Sequence, residues 1–187
     1  AEGLEFYREE VSNNQVRILE IGMGTALNAI LAFEFALINE QMDIDYQTLE
    51  PFPISQKLVS KLNYTHQFES KIDKANFEGL HTCTWGNVHR LLSNFRFTKY
   101  KTTLQDFDSA QLFDLIFYDA FAPSKQSEMW DLAVLKQVVE LMSPNGVLVT
   151  YCARGQFKRD LVELGLIVET LEGPPGKKEM VRGKKIP

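Results

Sequence analysis

The sequence predicts a doubly wound α/β domain whose mostly parallel sheet ends in an antiparallel hairpin. From Val16 onward, short β-branched segments alternate with apolar segments of helical periodicity. A Gly-containing turn directly follows the first β-branched segment, at 22–24. A second turn, rich in Pro and Gly, separates the last two strand candidates at 173–176. This alternation requires parallel strands with crossover helices on both faces of the sheet, and the late turn indicates the hairpin.

The predicted sheet has seven strands, because seven segments have the composition and flanking turns of strands. They are residues 16–21, 44–49, 102–104, 112–118, 147–151, 166–171 and 179–182. The apolar spacing elsewhere predicts helices over 25–40, 54–63, 129–142 and 157–164, one or two helices within 64–97 that include 89–92, and a turn at 143–146. Because ligands of such sheets bind beyond the carboxyl ends of the strands, residues directly after strands are the candidate site residues.

Length and composition fit a single domain. The chain has 187 residues, of which 44% are hydrophobic, which provides for one core rather than two. No apolar run is long enough to span a bilayer, and the acidic start lacks the layout of a signal peptide. The two cysteines and three histidines lack the spacing of a disulfide framework or a metal site. We expect one cytoplasmic, metal-free domain over residues 1–187, with a helical lead-in at 1–15 and a helical insert at 64–97 between the second and third strands.

Charge is unevenly distributed along the chain. The net charge is −5, and the first 50 residues carry 10 acidic and 2 basic side chains, whereas residues 151–187 carry 5 acidic and 8 basic ones. The acidic total argues against a protein that binds nucleic acid mainly through phosphates. The basic C-terminal part is either a local phosphate-binding surface or a solvated end, and charge alone leaves both interpretations open.

The turn after the first strand is a candidate cofactor site. It reads Glu20-Ile21-Gly22-Met23-Gly24-Thr25, and its glycines let the backbone approach a ligand at a helix N-terminus. A dinucleotide-binding fingerprint has a third Gly where this chain has the bulky Leu27, so a pyrophosphate is disfavoured. S-adenosylmethionine has no phosphate and fits better, with Glu20 facing its cationic methionine end. A tight strand–helix turn without a ligand is the alternative.

Carboxylates follow three further strand candidates. Glu50 closes the second strand, where it can accept hydrogen bonds from two ribose hydroxyls or can simply be a solvated charge. Asp106 closes the third, where a carboxylate can accept from an adenine amino group, although Asp108 leaves that assignment open. Asp119 directly follows the fourth strand and is succeeded by an aromatic residue, Phe121.

The segment after the fourth strand carries a distinctive pattern. It reads Asp119-Ala120-Phe121-Ala122-Pro123-Ser124-Lys125, followed by Glu128-Met129-Trp130. This resembles the D-A-F-A-P-x-K-N-P-x-M-W pattern of the MnmC methyltransferase domain, with Gln126-Ser127 in place of Asn-Pro. Residues 20–28 are similar to that family's E-x-G-F-G-T-G-L-N, and residues 173–183 resemble its closing G-x-G-x-K-x-E-M strand.

The resemblance implies a class I S-adenosylmethionine-dependent methyltransferase with a Rossmann-like fold. It implies N-methylation of the 5-aminomethyl group of wobble uridine in tRNA, giving 5-methylaminomethyl(-2-thio)uridine. Larger family members continue into a flavin-dependent oxidoreductase domain, which we do not expect in this chain. The cofactor-binding residues indicated by the residues and the resemblance together are Glu20, Gly22, Gly24, Thr25, Asn28, Glu50, Asp106 and Asp119.

The same reasoning gives candidate catalytic and substrate-binding residues. Asp119 and Phe121 are the catalytic candidates, and we expect Asp119 to orient the amine rather than deprotonate it, because a nearby carboxylate raises an amine's pKa. Phe121 and Trp130 offer either aromatic surface for a flipped-out base or ordinary core packing. The full substrate-binding set is Phe121, Pro123, Lys125, Trp130, Arg154 and Lys178.

Two other functions remain open from the sequence. A methyl- or aminopropyl-transferase that acts on a small amine would agree better with the acidic net charge. A catalytically inert module that binds the cofactor or RNA is suggested only by the replacements Ala26 and Gln126-Ser127. The carboxylates Glu20, Glu50 and Asp119 argue against the inert module.

Overall fold

The computed structural model describes residues 2–10, 14–64, 72–120, 124–173, 176 and 178–187. In these ranges the strands are β1 Gln15–Ile21, β2 Asp43–Leu49, β3 His89–Leu92, β4 Phe95–Tyr100, β5 Phe113–Tyr118, β6 Met142–Thr150, β7 Leu166–Glu172 and β8 Glu179–Lys185. The α-helices are α1 Glu2–Glu10, α2 Leu27–Ile38, α3 Gln56–Val59, α4 Lys74–Thr82, α5 Leu132–Glu140 and α6 Gly155–Glu163, and a short 3-10 helix covers Ser127–Trp130. None of these helices is both long and apolar enough to cross a membrane.

The strands form one mixed sheet in the order β3-β4-β2-β1-β5-β6-β8-β7. Strands β4, β2, β1, β5 and β6 are parallel, whereas β8 runs antiparallel between β6 and β7. The order of the strands along the chain reverses between β1 and β5. In sheets of this topology the ligand-binding crevice lies at such a reversal, which here means beyond the carboxyl ends of β1, β2 and β5.

The central strand β1 is buried on both faces because helices cover both faces of the sheet. Ile18 packs in a cluster with α1, α2 and α4, whereas Leu19 and Ile21 pack in a second cluster with α5 and α6. All three side chains are buried. This explains why β1 is an almost continuous apolar run, and it makes the one acidic residue within it, Glu20, conspicuous.

The doubly wound fold with its C-terminal hairpin is confirmed, but among the described residues the sheet has eight strands rather than seven. The additional strand is β3, which pairs antiparallel with β4, so the predicted helical insert at 64–97 is wrong over 89–97. A four-residue run is too short for its periodicity to distinguish helix from strand. Because β4 ends at Tyr100, the predicted third strand at 102–104 is also wrong, and Asp106 does not close a strand.

The predicted turn at 143–146 lies inside β6, and the predicted helix over 129–142 is shorter. The segment still has turn-like geometry, because Asn145 has φ +63° and the pairing of β5 with β6 shifts register there. A Cβ on Gly146 would lie 2.8 Å from the Ser143 carbonyl oxygen, so only Gly fits this bulge. Within the segment 1–15, where we expect a helical lead-in, the structure has α1 over Glu2–Glu10.

Candidate active site

The glycine loop between β1 and α2 joins the carboxyl ends of three strands. The Gly22 and Met23 N–H groups donate to the Leu49 carbonyl of β2 at 3.0 and 3.3 Å. On the other side, the Asp119 N–H donates to the Ile21 carbonyl at 3.0 Å. Gly22 has φ +95°, and a Cβ there would lie 2.7 Å from the Asp119 carbonyl oxygen. Gly is therefore required for the segments after β1 and β5 to approach each other this closely.

Glu50 borders this crevice from the end of β2. Its Oε2 accepts from the Gly24 N–H at 2.9 Å, and its Oε1 accepts from the Phe52 N–H at 2.8 Å. A carboxylate retains further lone pairs after two such bonds, so Glu50 can still accept from the hydroxyls of a ligand. Gly24 has φ +50° and no atom within 4 Å of the place where a Cβ would be. The loop backbone therefore borders open space at Gly24.

Glu20 lies deeper than the sequence predicts. Its side chain is fully buried (0% exposed), and each carboxylate oxygen has an internal donor. The Thr48 hydroxyl donates to Oε2 at 2.7 Å, and the Asn28 amide donates to Oε1 at 3.1 Å. This geometry favours an internal position for Glu20 over the expected direct contact with the cofactor.

Asn28 bridges Glu20 and Asp119. Its Nδ2 also donates to Asp119 Oδ2, at 3.3 Å. The Asp119 side chain is exposed at the edge of the sheet, whereas Asn28 is half-buried between the two carboxylates. The sequence-predicted residues Glu20, Asn28 and Asp119 thus form one hydrogen-bonded cluster beside the glycine loop.

Burial raises the pKa of Glu20 to about 8, and the negative charge of Asp119 adds to the increase, while the hydrogen bonds from Thr48 and Asn28 oppose it. Tyr46, on β2, is also fully buried, and its hydroxyl forms no hydrogen bond of normal geometry with any described residue. Burial raises the pKa of Tyr46, and the neighbouring Glu20 raises it further. Around neutral pH this part of the site therefore favours a protonated Glu20.

The start of α2 is held by side chains from the α3–α4 region. The Thr25 hydroxyl and the Tyr64 hydroxyl lie 2.9 Å apart, and Tyr64 packs edge-on against Phe77 of α4, with ring centroids 5.7 Å apart. Ala26, which precedes α2, has φ +62°, a conformation that costs a non-Gly residue about 1 kcal/mol or more. A Gly stands at this position in the pattern that the segment resembles.

The aromatic residue Trp130 packs within the protein. Its ring lies edge-on to Tyr118 and Phe157, with centroid distances of 5.1 and 5.2 Å, and the Tyr118 hydroxyl donates to the Met129 carbonyl. This geometry favours the core-packing interpretation of Trp130, because the ring anchors the 3-10 helix to β5 and α6. The other candidates of this segment, Phe121 and Pro123, lie outside the described residues, and Lys125 is exposed.

Asp106 lies in the turn region after β4, where it is exposed. Its Oδ2 accepts from the Thr103 hydroxyl at 2.7 Å, and its N–H donates to the same hydroxyl oxygen at 3.2 Å. These contacts stabilise a local turn. Within the described ranges, no hydrogen bond joins Asp106 to the glycine loop.

Three basic side chains lie along the carboxyl edge of the β6–β8–β7 part of the sheet. Arg154 precedes α6 and is exposed, and Lys178 is exposed directly before β8. The pairing of Thr150 with Val181 places the beginning of β8 beside the end of β6. Lys158 donates from Nζ to the hydroxyl of Thr170 on β7 at 3.2 Å. This basic edge (Arg154, Lys158 and Lys178) lies around the end of β6, the strand next to β5 in the sheet.

The structure adds Thr48, Tyr46 and Tyr64 to the predicted site residues. A signal for Thr48 is present in the sequence, since a polar residue interrupts the apolar positions of the second strand. Its importance depends on the strand register, which places Thr48 directly beside Glu20 and is not readable from one sequence. Among the described residues, no group of three His, Cys, Asp or Glu side chains is arranged to hold a metal ion.

Comparison with protein families identifies a match over most of the chain. A family model described as an S-adenosyl-L-methionine-dependent methyltransferase matches residues 63–186. The chain is 28% identical to the tRNA 5-methylaminomethyl-2-thiouridine biosynthesis bifunctional protein MnmC of Hydrogenovibrio crunogenus and 29% identical to that of Pseudoalteromonas atlantica. These alignments cover 96% and 89% of this chain but 28% and 26% of the relatives, so the chain spans about a quarter of their length. The resemblance indicated by the three motifs is thereby confirmed.

Solved structures share the fold. The crystal structure of MNMC2 from Aquifex aeolicus superposes with a TM-score of 0.70 and 18% identity, covering 98% of this chain and 57% of that one. The N-methyltransferase NodS from Bradyrhizobium japonicum in complex with S-adenosyl-l-homocysteine gives a TM-score of 0.51 and 15% identity, covering 98% and 85%. At these identities the likeness concerns the fold alone, and it confirms the class I methyltransferase architecture.

Proposed function

The chain belongs to the S-adenosyl-L-methionine-dependent methyltransferase family, and we propose that it methylates the 5-aminomethyl nitrogen of wobble uridine in tRNA. The product is 5-methylaminomethyl(-2-thio)uridine. The observation that carries the proposal is the Asp119 carboxylate, which directly follows β5 at the same edge as the glycine loop and is held by Asn28. The curated MnmC relatives are named for this tRNA modification, and their similarity covers nearly the whole chain.

The residues at the crevice fit the cofactor of this family. The open space beside Gly24 admits a ligand against the backbone, and Glu50 offers acceptor oxygens for ribose hydroxyls. The cofactor carries a positively charged sulfonium and an ammonium group, and the Asp119 carboxylate supplies a complementary negative charge. When bound, the cofactor supplies an electrophilic methyl group.

The chain itself contributes mainly by positioning. Methyl transfer is an in-line displacement, so holding the amine nitrogen in line with the methyl carbon lowers the barrier. The amine must be neutral to react, but an alkylammonium has a pKa of about 10.4 in water and is mostly protonated at neutral pH. We infer that Asp119 accepts a hydrogen bond from the neutral amine and aims its lone pair, and that the proton displaced from nitrogen after transfer leaves to solvent.

The basic edge supports a tRNA substrate despite the acidic net charge. Arg154 and Lys178 are exposed beside the crevice, where they can meet phosphates flanking the target nucleotide. The enzyme needs to extract the base from its stack to bring the amine to Asp119, as other base-modifying enzymes do. In this proposal, phosphate contacts hold the strand while the nucleoside enters the crevice.

A small amine is the second candidate substrate, favoured by the net charge of −5. Separate incubations with each kind of substrate distinguish tRNA from a small amine. The protein is incubated with labelled S-adenosylmethionine and either tRNA that carries 5-aminomethyluridine or a panel of polyamines and primary alkylamines. We expect label in the tRNA alone. Transfer to a small amine, with none to tRNA, would overturn the proposed substrate.

A further inference from the structure

The position of Asn28 indicates a role beyond contact with the cofactor. Its Nδ2 donates to a carboxylate oxygen on each side, to Glu20 Oε1 at 3.1 Å and to Asp119 Oδ2 at 3.3 Å. Because both neighbours are acceptors, the amide must turn its NH2 group toward them. The orientation of Asn28 is therefore fixed by Glu20, and the orientation of Asp119 is fixed by Asn28.

Glu20 can influence the crevice only through such an intermediary. It is fully buried, and its second oxygen already accepts from the Thr48 hydroxyl at 2.7 Å. Because none of its surface is exposed, direct contact between Glu20 and a ligand would require the side chains that cover it to move. By contrast, Asp119 is exposed, and Asn28 lies between the two carboxylates.

We propose that Asn28 is a positioning residue that fixes the Asp119 carboxylate for the substrate amine, and that Glu20 acts on the reaction only through Asn28. Asn28 is the second residue of α2, so its backbone is held by a helix packed on the sheet. A side chain on a rigid element can hold a carboxylate within the narrow range that an in-line transfer requires. This inference rests on the proposed function, because it assigns Asn28 to the same reaction.

The charges around Asn28 explain why an amide is needed. The groups that face Glu20 are Tyr46 and Thr48 from β2, Asn28 from α2 and Asp119 from the segment after β5. Glu20 and Asp119 are the two carboxyl groups of this cluster, and Asn28 is the donor that lies between them. An acid at position 28 would place a third carboxyl group between these two, which favours protonation of the cluster.

Three variants test this role: Asn28→Leu, Asn28→Asp and Glu20→Gln. Asn28→Leu keeps the branched shape of the side chain but removes both hydrogen bonds, so we expect kcat to fall about tenfold or more while the cofactor Kd changes less than about threefold. Glu20→Gln still offers Asn28 an acceptor oxygen, so its loss of kcat should be clearly smaller than that of Asn28→Leu. Glu163→Gln, which changes an exposed residue of α6, is the control and should keep wild-type activity.

Asn28→Asp separates a positioning role from a merely structural one by pH. Its activity relative to wild type should be highest near about pH 6, where the extra carboxyl group can hold a proton and donate, and should fall by about tenfold toward about pH 9. Thermal unfolding of each variant identifies any that fails to fold.

The inference is overturned if Asn28→Leu keeps kcat within about twofold, if the activity ratio of Asn28→Asp is independent of pH, or if Glu20→Gln abolishes cofactor binding. Cofactor binding is measured by calorimetry in the absence of tRNA. A failure of the proposed function gives a different result from a failure of this inference. In that case the wild-type protein itself binds the cofactor but does not methylate tRNA.

Discussion

Asp119 is the residue on which the proposed chemistry depends most directly. Its backbone N–H is held by Ile21 and its carboxylate by Asn28, so both parts of the residue are oriented at the crevice. To orient the substrate amine, Asp119 must offer a hydrogen-bond acceptor with a defined direction. Replacement of its carboxylate by an amide removes the negative charge and adds N–H donors.

Asp119→Asn should therefore lower kcat by about a hundredfold or more, because misorientation of a nucleophile has an effect of that order. The cofactor Kd should change less, because Glu50 and the glycine loop remain intact. Single-turnover methylation and calorimetry measure the two quantities. Asp131→Asn, which changes an exposed Asp that makes no capping hydrogen bond, serves as the matched control. Equal turnover in the two variants would remove Asp119 from the mechanism.

Burial of Glu20 links the stability of the protein to pH. Its pKa is about 8 in the folded chain against an ordinary value of 4.5. Between these values the folded protein holds a proton that the unfolded chain has lost, so this group's contribution to the free energy of unfolding decreases as pH rises through that window. The contribution is fully present below about pH 4.5 and is lost by about pH 8.

Glu20→Gln removes this titration, so its melting temperature should rise relative to wild type as pH increases from about 5 to about 8. The measurement is thermal unfolding at several pH values, with the exposed Glu163→Gln on α6 as control. If the melting temperatures of Glu20→Gln and wild type run parallel across this range, Glu20 does not titrate in it.

At the scale of elements, a polar cluster ties the amino-terminal ends of three strands together. Asp114 of β5 accepts from the Arg17 backbone N–H at 2.9 Å, from its guanidinium at 3.1 Å, and from the Ser143 hydroxyl at 2.7 Å. Arg17 belongs to β1 and Ser143 to β6, so this one carboxylate joins β1, β5 and β6.

Asp114→Ala should lower the free energy of unfolding by about 2–4 kcal/mol, because it leaves partly buried donors without an acceptor. Urea denaturation measures the change. Glu140→Ala is the control: its ion pair with Lys136 is exposed and 3.8 Å long, and its loss should cost less than about 0.5 kcal/mol. A similar small change in both variants would show that the Asp114 cluster does not stabilise the sheet.

The elements that could be predicted are those with a strong periodic signal. The strands at 16–21 and 112–118 and the helix before the second strand follow from largely apolar segments, and the strand at 44–49 follows from alternating apolar and polar residues that end at Glu50. The short β3 could not be predicted, since its four residues are recognisable as a strand only through their pairing with β4. That error also displaced the predicted third strand, and with it the strand-end position given to Asp106.

The site residues that could be predicted are those whose position follows from the local sequence around a strand end. Gly22, Gly24, Glu50 and Asp119 were expected at strand ends, and the structure brings them to one edge. The depth of Glu20 was not predictable, because it depends on Thr48 in the neighbouring strand and on the first turn of α2. Strand register and helix docking are long-range properties, and one sequence does not contain them explicitly.

At the scale of the whole molecule, the acidic chain presents its basic edge beside the crevice. Each contact between a basic side chain and a phosphate releases counterions, so removal of such a contact makes binding less dependent on salt. The double variant Arg154→Gln, Lys178→Gln should reduce the slope of log K against log salt by roughly 0.7–0.9 per lost contact. Filter binding of tRNA over a range of salt concentrations measures the slope.

Lys136→Gln is the matched control for this charge removal, because it changes an exposed lysine on α5, which carries no predicted site residue. Its slope should equal that of wild type. If the double variant also binds with an unchanged slope, the basic edge does not contact tRNA phosphates, and the tRNA must dock elsewhere.

The proposed reaction is tested most directly by nucleoside mass spectrometry of tRNA that carries 5-aminomethyluridine, after incubation with the protein and S-adenosylmethionine. We expect this nucleoside to gain one methyl group, on the amine nitrogen, and Asp119→Asn to slow the gain by about a hundredfold or more. A tRNA left unmethylated by wild-type protein that binds the cofactor would contradict the proposed reaction, as would a methyl group found on another nucleoside.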